Sequence, residues 1–359
     1  MRLKKVDFGL FLALIALIFL IACSDSSGSV AETNDGASSS EDSEEYVLRL
    51  AHGFSSTHYM HTFMEWFDEQ VQERSEGRLS IDIYPNGQLM PATEEVPALV
   101  QGQIDMVHST SPILTSFDPI WNFFELPFLF DYEVDDPSVF LENRTAFNQH
   151  EDGGRKIADR MEDKGVKVLG FAYIDTFGSL FTNNHSINDI DSVEGLRVRT
   201  PGGIITPETV EALGASSITV AGAEAITALQ QGVVDGALST PMYVYDVKFP
   251  VDTYIVAPLF NSVTPVLISQ DTFESLPSDL QDILVQVGED YEQYVLETIN
   301  EELAETLPKL ENEMGVEFYY PTEEEINKMK EVSRSAWEVF ENEVEGGGDL
   351  IDVLSTINE

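Results

Sequence analysis

Apolar and polar residues alternate along this chain with two different periods. Val47-Leu48-Arg49-Leu50-Ala51 reads as a first strand, and after a short loop Met60, Phe63, Met64, Phe67 and Val71 recur at helical spacing up to Gly77. Leu79 to Tyr84 alternates like a strand, Pro85-Asn86-Gly87 is a turn, Glu94 to Gly102 reads as a helix, and Ile104-Asp105-Met106-Val107 is an apolar strand. The grammar returns after Pro127 with an acidic helical stretch to Lys164, a strand over Val166 to Tyr173, and the alternating Leu196-Arg197-Val198-Arg199. Helices follow from about Pro207 to Gly214 and from Gly222 to Gln231, then a strand through Val233-Val234-Asp235-Gly236. Beyond Pro277 two long helices are predicted, from about Ser278 to Asn312 and from Thr322 to Glu343. Strands alternating with helices predict an α/β fold with helices on both sheet faces. No fixed-period repeat runs through the chain, which excludes a solenoid.

Composition changes the picture at the N-terminus. Arg2, Lys4 and Lys5 precede an apolar run from Phe8 to Ala22, and Cys23 is followed by Ser, Asp and Gly, the layout of a secretory signal. The run is about 15 residues, short of the roughly 20 that a spanning helix needs. Leu20-Ile21-Ala22-Cys23 resembles the bacterial lipobox, which implies cleavage before Cys23, diacylation of its thiol and anchorage at a membrane surface. Cys23 is the only cysteine, so there is no disulfide framework and no thiol left for catalysis or metal binding. Ser24 to Glu45 is too polar to offset the entropy of ordering and reads as a tether. The globular part from Tyr46 to Glu359 is long enough for two lobes with separate cores.

Charge then narrows the partners. The chain holds 19 Lys and Arg against 64 Asp and Glu, and nucleic acid or anionic headgroups would be repelled by so acidic a body. Such an acid excess also suits life at high salt or high pH. If the ligand is itself an anion, the few cations inside a cleft become the informative residues.

Five segments carry a resemblance: Tyr84-Pro85-Asn86-Gly87-Gln88-Leu89, Leu99-Val100-Gln101-Gly102-Gln103-Ile104-Asp105-Met106, Glu125-Leu126-Pro127-Phe128-Leu129-Phe130, Gly195-Leu196-Arg197-Val198-Arg199-Thr200-Pro201, and Ala228-Leu229-Gln230-Gln231-Gly232-Val233-Val234-Asp235-Gly236. In order and spacing the chain resembles the solute-binding proteins of tripartite ATP-independent periplasmic (TRAP) transporters, of the dicarboxylate-receptor type. The resemblance implies a two-lobed, periplasmic-binding-protein-like (venus-flytrap) fold with long C-terminal helices. Residues 46–172 would form lobe I with a return segment near 262–300, and 173–261 lobe II, with 301–359 packing across both. Residues 1–22 would be the lipoprotein signal and 23–45 the acylated tether. It also implies closure on a small organic carboxylate and delivery to a membrane permease, with no cofactor and no catalysis.

Arg197 and Arg199 share one face of their strand. In the family the second basic position grips the ligand carboxylate, which assigns that role to Arg199; a guanidinium offers two parallel donors and stays charged. The alternative, a surface salt bridge, is the preferred reading for Arg197. Many members carry a second arginine where Phe177-Gly178-Ser179 places Ser179, an asparagine where Leu238-Ser239 places Ser239, and an aromatic residue where this chain has Gly222. One cation instead of two suits a monocarboxylate. Tyr173, Phe177 and Tyr243 lie beside these positions and are candidates to pack a ring or chain, with ordinary core as the competing reading. Thr110, His52 and Phe54 follow strands, in loops that line clefts in such folds.

His52, His58 and His61 fall within ten residues, and on a helix His58 and His61 would share a face able to bind zinc. No acid stands at a recognised metalloprotease spacing, so no metal site is expected. There is no Gly-X-Ser-X-Gly elbow, phosphate-binding glycine loop or cysteine nucleophile, and Asp152-Gly153-Gly154 and Gly346-Gly347-Gly348 read as turns. The competing functions are a surface receptor that reports ligand to a signalling partner and a lipid-anchored hydrolase. The expected location is extracytoplasmic, anchored to the cell membrane by lipid.

Overall fold

The computed structural model describes residues 44–357 apart from residue 135. The expected leader, Cys23 and nearly all of the expected tether lie outside the described residues. In chain order come β1 (Tyr46–Ala51), α1 (Tyr59–Arg74), β2 (Leu79–Tyr84), α2 (Ala92–Val100), β3 (Met106–His108) and the single turn α3 (Ser111–Leu114). A 3-10 segment at Pro119–Glu125 leads to α4 (Ser138–Gln149), α5 (Gly154–Glu162) and β4 (Val166–Tyr173). Next are β5 (Ser179–Thr182), β6 (Arg197–Thr200), α6 (Ile205–Ala212), β7 (Ser216–Thr219), α7 (Gly222–Gln230), β8 (Gly236–Ser239), α8 (Pro241–Asp246) and β9 (Thr253–Ile255). The chain ends with β10 (Val263–Ser269), α9 (Gln270–Ser275), the 37-residue α10 (Ser278–Met314), β11 (Glu317–Tyr319), α11 (Glu323–Val332), α12 (Arg334–Glu343) and α13 (Gly347–Ile357).

The strands form two mixed sheets, one ordered β2-β1-β3-β10-β4 and the other β11-β9-β5-β8-β6-β7. In the first, β1 runs parallel to β2 and β3, while β10 is antiparallel to β3 and β4. In the second, β6 is parallel to β7 and β8, and β5 is antiparallel to β8 and β9. Every residue of β10, β5 and β8 is buried, because helices or loops cover both faces of these strands.

Helix α1 buries all five of its periodic apolar residues, Met60, Phe63, Met64, Phe67 and Val71, a gross stabilisation of about 10 kcal/mol at 1.5–3 kcal/mol each. Helix α10 extends roughly 55 Å at 1.5 Å per residue and packs on β4 and α1 at one end and α8 at the other. Two glycines let it lie against β4. A Cβ on Gly288 would come 2.1 Å from the Leu169 carbonyl oxygen, and one on Gly170 would come 2.5 Å from the Gly288 carbonyl oxygen. No described helix is long and apolar enough to cross a membrane.

Five expected elements differ from those observed. The strand read at Val233–Gly236 begins at Gly236, because Gly232 (φ 65°) ends α7 in the left-handed region and the Asp235 carboxylate is held by Arg197. The first sheet repeats this: Gly102 has φ 70°, Asp105 is held by Arg49, and β3 starts at Met106. The single helix read over Thr322–Glu343 breaks at the buried Ser333, since Met329 packs into the core of the second sheet whereas Ala336 and Phe340 join the other core. The acidic stretch before Lys164 is likewise two helices, with α5 opening at Gly154, and Gly347 opens α13 just after the turn at Gly346.

Candidate functional site

The site grows from the carboxyl ends of β6 and β8, where strand β6 delivers Arg199. Only 5 % of Arg199 is exposed. Its Nε donates to the Val220 carbonyl at 2.8 Å and its Nη1 to the Leu238 carbonyl at 3.1 Å, so two neighbouring chain segments orient the guanidinium. Among the described residues Nη2 has no hydrogen-bond partner, and no carboxylate faces the group. Burial lowers its pKa to about 10, still far above neutrality, so a charge is buried without a counter-charge. By contrast Arg197, two residues earlier, is exposed and bound to Asp235 at 2.6 Å.

Around Arg199 stand groups able to hold a polar ligand. Ser239, 4 % exposed, ends β8, and its Cα partner across the ladder is Ser179, whose buried hydroxyl has no partner. Tyr243 on α8 and Gly222 at the start of α7 complete this wall. A Cβ on Gly222 would sit 3.3 Å from Tyr243 Oη and 3.9 Å from Arg199 Nη2.

The facing wall comes from the ends of β1 and β3 and the start of α1. His58 caps α1, its Nδ1 accepting from the Met60 N–H at 3.1 Å, and its ring lies 5.6 Å from that of Tyr243. Its Nε2 is 3.6 Å from Asp246 Oδ2 on α8. Phe54 packs 5.0 Å from His58, 5.8 Å from His108 and 5.9 Å from His52. His52 Nδ1 accepts from the Phe54 N–H at 3.2 Å, which puts its proton on Nε2, donated to His61 Nδ1 at 3.0 Å. Burial above all, and then the neighbouring rings, push His52 and His58 down to about 4 and His108 well below the ordinary histidine value. These imidazoles are neutral at pH 7. Among the described residues no group of His, Cys, Asp and Glu is arranged to hold a metal ion.

Several bonds tie the two walls together. The guanidinium of Arg144, fully buried on α4, stacks 3.8 Å over the Tyr173 ring; its Nη2 donates to the Asp175 carbonyl at 2.8 Å and its Nη1 to Asn261 Oδ1. Asp175 lies between β4 and β5 and Asn261 between β9 and β10, so one side chain grips two of the three connections between the sheets. The Asp175 carboxylate accepts from the N–H groups of Thr176 and Met242, and burial raises it to about 7. Beyond Arg199, the Ile204 N–H donates to Asn122 Oδ1 at 3.0 Å, and Gly203 lies so close to Glu125 that a Cβ there would come 2.5 Å from its Oε2. Burial pushes the Glu125 carboxyl well up.

The structure therefore brings Arg199, Ser239, Ser179, Tyr243, His52 and Phe54 to one region. Thr110, half-buried, sits at the carboxyl end of β3 as the first residue of the α3 cap and makes no capping side-chain bond. The side chains of Tyr173 and Phe177 are engaged away from Arg199. The Tyr173 hydroxyl is shared with Thr145 (2.8 Å) and Asn148 (3.4 Å), and Phe177 packs edge-on to Tyr132 and Phe140, because the connection after β4 turns toward α4. Sequence reading missed Arg144, Asp175, Glu125 and His108. For Arg144 a signal existed: it falls on the same helical face as Phe140, Leu141 and Phe147.

Comparison with known proteins adds the following. Residues 50–343 match the family described as bacterial extracellular solute-binding protein, family 7. The C4-dicarboxylate-binding periplasmic protein DctP of Rhodobacter capsulatus is 26 % identical over 279 residues, 76 % of this chain and 77 % of that one. The 2,3-diketo-L-gulonate-binding periplasmic protein YiaO of Escherichia coli is 23 % identical over 99 % of this chain and 100 % of its own. A TRAP periplasmic solute-binding protein from Haemophilus influenzae, solved with bound L-gulonate, superposes with a TM-score of 0.78 at 23 % identity, covering 87 % of this chain and 100 % of that one.

Proposed function

Because this chain belongs to family 7 of the bacterial extracellular solute-binding proteins, we propose that it captures a small organic carboxylate between its two sheets and hands it to a TRAP-type membrane permease. The observation that carries the reading is Arg199, a buried cation with two donors fixed on carbonyls and a third left open. A ligand carboxylate supplies the missing counter-charge and a charge-assisted hydrogen bond in a place shielded from water. Tyr243, Ser239 and Ser179 add donors around it, and Thr110 reaches in from the opposite side.

The ligand is a monoanion. Arg199 is its cation; the facing wall offers neutral imidazoles, which give a second carboxylate no counter-charge. Relatives that bind dicarboxylates and sugar acids fit the acid class. Residues 46–172 with 262–300 act as one lobe and 173–261 as the other, with 301–359 across both. Ligand contacts to both walls then stabilise closure. The protein binds its ligand without transforming it. Cys23 is its lipid anchor, holding it on the outer side of the cell membrane after removal of residues 1–22; Cys23→Ser should release it into the medium.

The deciding experiment is a calorimetric and thermal-shift panel of mono- and dicarboxylates, keto acids and sugar acids against the purified protein and its Arg199→Ala variant. A monocarboxylate that stabilises the wild type and not the variant supports the reading. Equal response of the two proteins removes the carboxylate anchor.

A further inference from the structure

Helix α7 begins where the free edge of Arg199 points. It is nine residues long, and its cap, Ala221, supplies no side-chain acceptor to the first-turn N–H groups. A helix start of this kind attracts negative charge. The second, independent feature is the buried guanidinium whose Nη2 faces Gly222 with no partner. The hydroxyl of Tyr243 reaches the same point from α8 and makes no hydrogen bond of its own among the described residues.

Gly222 is not held as glycine by its backbone, which does not have a positive φ. A Cβ there would meet only Tyr243 Oη and Arg199 Nη2 within 4 Å, apart from its own neighbours and helix. The missing side chain thus leaves room beside two polar atoms that both lack partners. A carboxylate bound to Nη2 would hold its next carbon near this gap, and a group on that carbon would point at Tyr243 Oη.

We propose that Gly222 and Tyr243 form a subsite for a hydrogen-bonding substituent on the carbon adjacent to the ligand carboxylate, so that the protein selects 2-hydroxy or 2-oxo monocarboxylates over their unsubstituted counterparts. The inference rests on the receptor reading above and narrows its ligand class. Tyr243 donates to the 2-oxygen, the start of α7 and Arg199 hold the carboxylate, and Gly222 keeps the space between them open.

The test is calorimetry on the wild type, Gly222→Ala and Tyr243→Phe with matched pairs: butanoate against 2-hydroxybutanoate and 2-oxobutanoate, and phenylacetate against mandelate. The wild type should prefer the substituted member of a pair at least tenfold. Gly222→Ala should weaken the substituted acid at least tenfold more than the unsubstituted one, and its melting temperature should not fall, since alanine suits a first helical turn. Tyr243→Phe should likewise cost the substituted acid at least tenfold more than the unsubstituted one. Equal weakening of both members in Gly222→Ala, or no preference in the wild type, overturns the subsite while leaving the carboxylate anchor intact. Absence of any binding by the wild type sinks the subsite and the receptor reading together.

Discussion

Replacing Arg199 by methionine separates what the fold needs from what the ligand needs. Burial lowers this guanidinium from 12.5 to about 10, which at 1.36 kcal/mol per unit corresponds to about 3 kcal/mol of desolvation that methionine would not incur. Against this stand two hydrogen bonds to the Val220 and Leu238 carbonyls, worth about 1.5 kcal/mol each at the lower end for a cationic donor. The two effects cancel to within about 2 kcal/mol. No buried acid is stranded, because none faces Arg199. The same change at Arg144 leaves Asp175 and Asn261 behind in the interior, and breaking a buried charged network of that kind costs about 3–5 kcal/mol. Urea unfolding of the ligand-free proteins at pH 7 should therefore rank wild type and Arg199→Met together and Arg144→Met well below. Titration with the stabilising acid should show at least a hundredfold loss for Arg199→Met. If Arg199→Met loses more than about 4 kcal/mol without ligand, the guanidinium serves the fold and the reasoning fails.

Other consequences follow from groups held off their ordinary pKa. His52 and His58 sit near 4 in the fold against 6.5 when unfolded, so the unfolded chain takes up their protons first; stability should be full above pH 6.5 and fall toward pH 4, on the order of 3 kcal/mol for each ring. Urea midpoints across that range would show it, and His58→Gln should flatten the slope. Glu95 acts in the opposite sense: buried without a partner for either oxygen, it is raised to about 8, so its contribution is present below pH 4.5 and lost as pH rises through 8. Glu95→Gln should stabilise the protein at pH 8 by about 4 kcal/mol and change little at pH 4.5, read from the same melts. Gly288→Ala drives a methyl into the Leu169 carbonyl and should cost about 3 kcal/mol or prevent folding, whereas Gly315→Ala, which meets no neighbour, should cost only the strain of its positive φ.

Elements set by local periodicity were legible in the sequence. The apolar stripe of α1, both ends of β2 and β4, and the start of α10 coincide with the observed elements. What escaped depends on partners distant in the chain. Val233-Val234 looks like a strand, but Asp235 answers to Arg197 and shifts the strand onward. His52, His58 and His61 suggested a possible metal pair only when read alone. With His108 brought beside them from β3 and Phe54 set between, they form a ring-lined wall. Tyr173 and Phe177 neighbour the site in sequence, yet the connection after β4 turns them toward α4.

The two walls repeat one framework with different chemistry. Arg49 and Arg197 each use a backbone N–H and Nε, both at 2.9 Å, to hold Asp105 and Asp235. Thr110 and Thr240 cap α3 and α8 with the same backbone angles, φ −114° and −115° with ψ 150° in both. In this register Ala51 stands in the first unit where Arg199 stands in the second, and His52 where the second has Thr200. Matching backbones thus present a cation on one side and uncharged imidazoles on the other. An acid with one charged end enters such a cleft in one orientation, because reversing it would place the carboxylate against neutral rings while leaving Arg199 uncompensated. The asymmetry arises from substitutions at strand ends that leave the Arg–Asp brackets and threonine caps unchanged. Ligand preference can therefore be altered there with little effect on the fold.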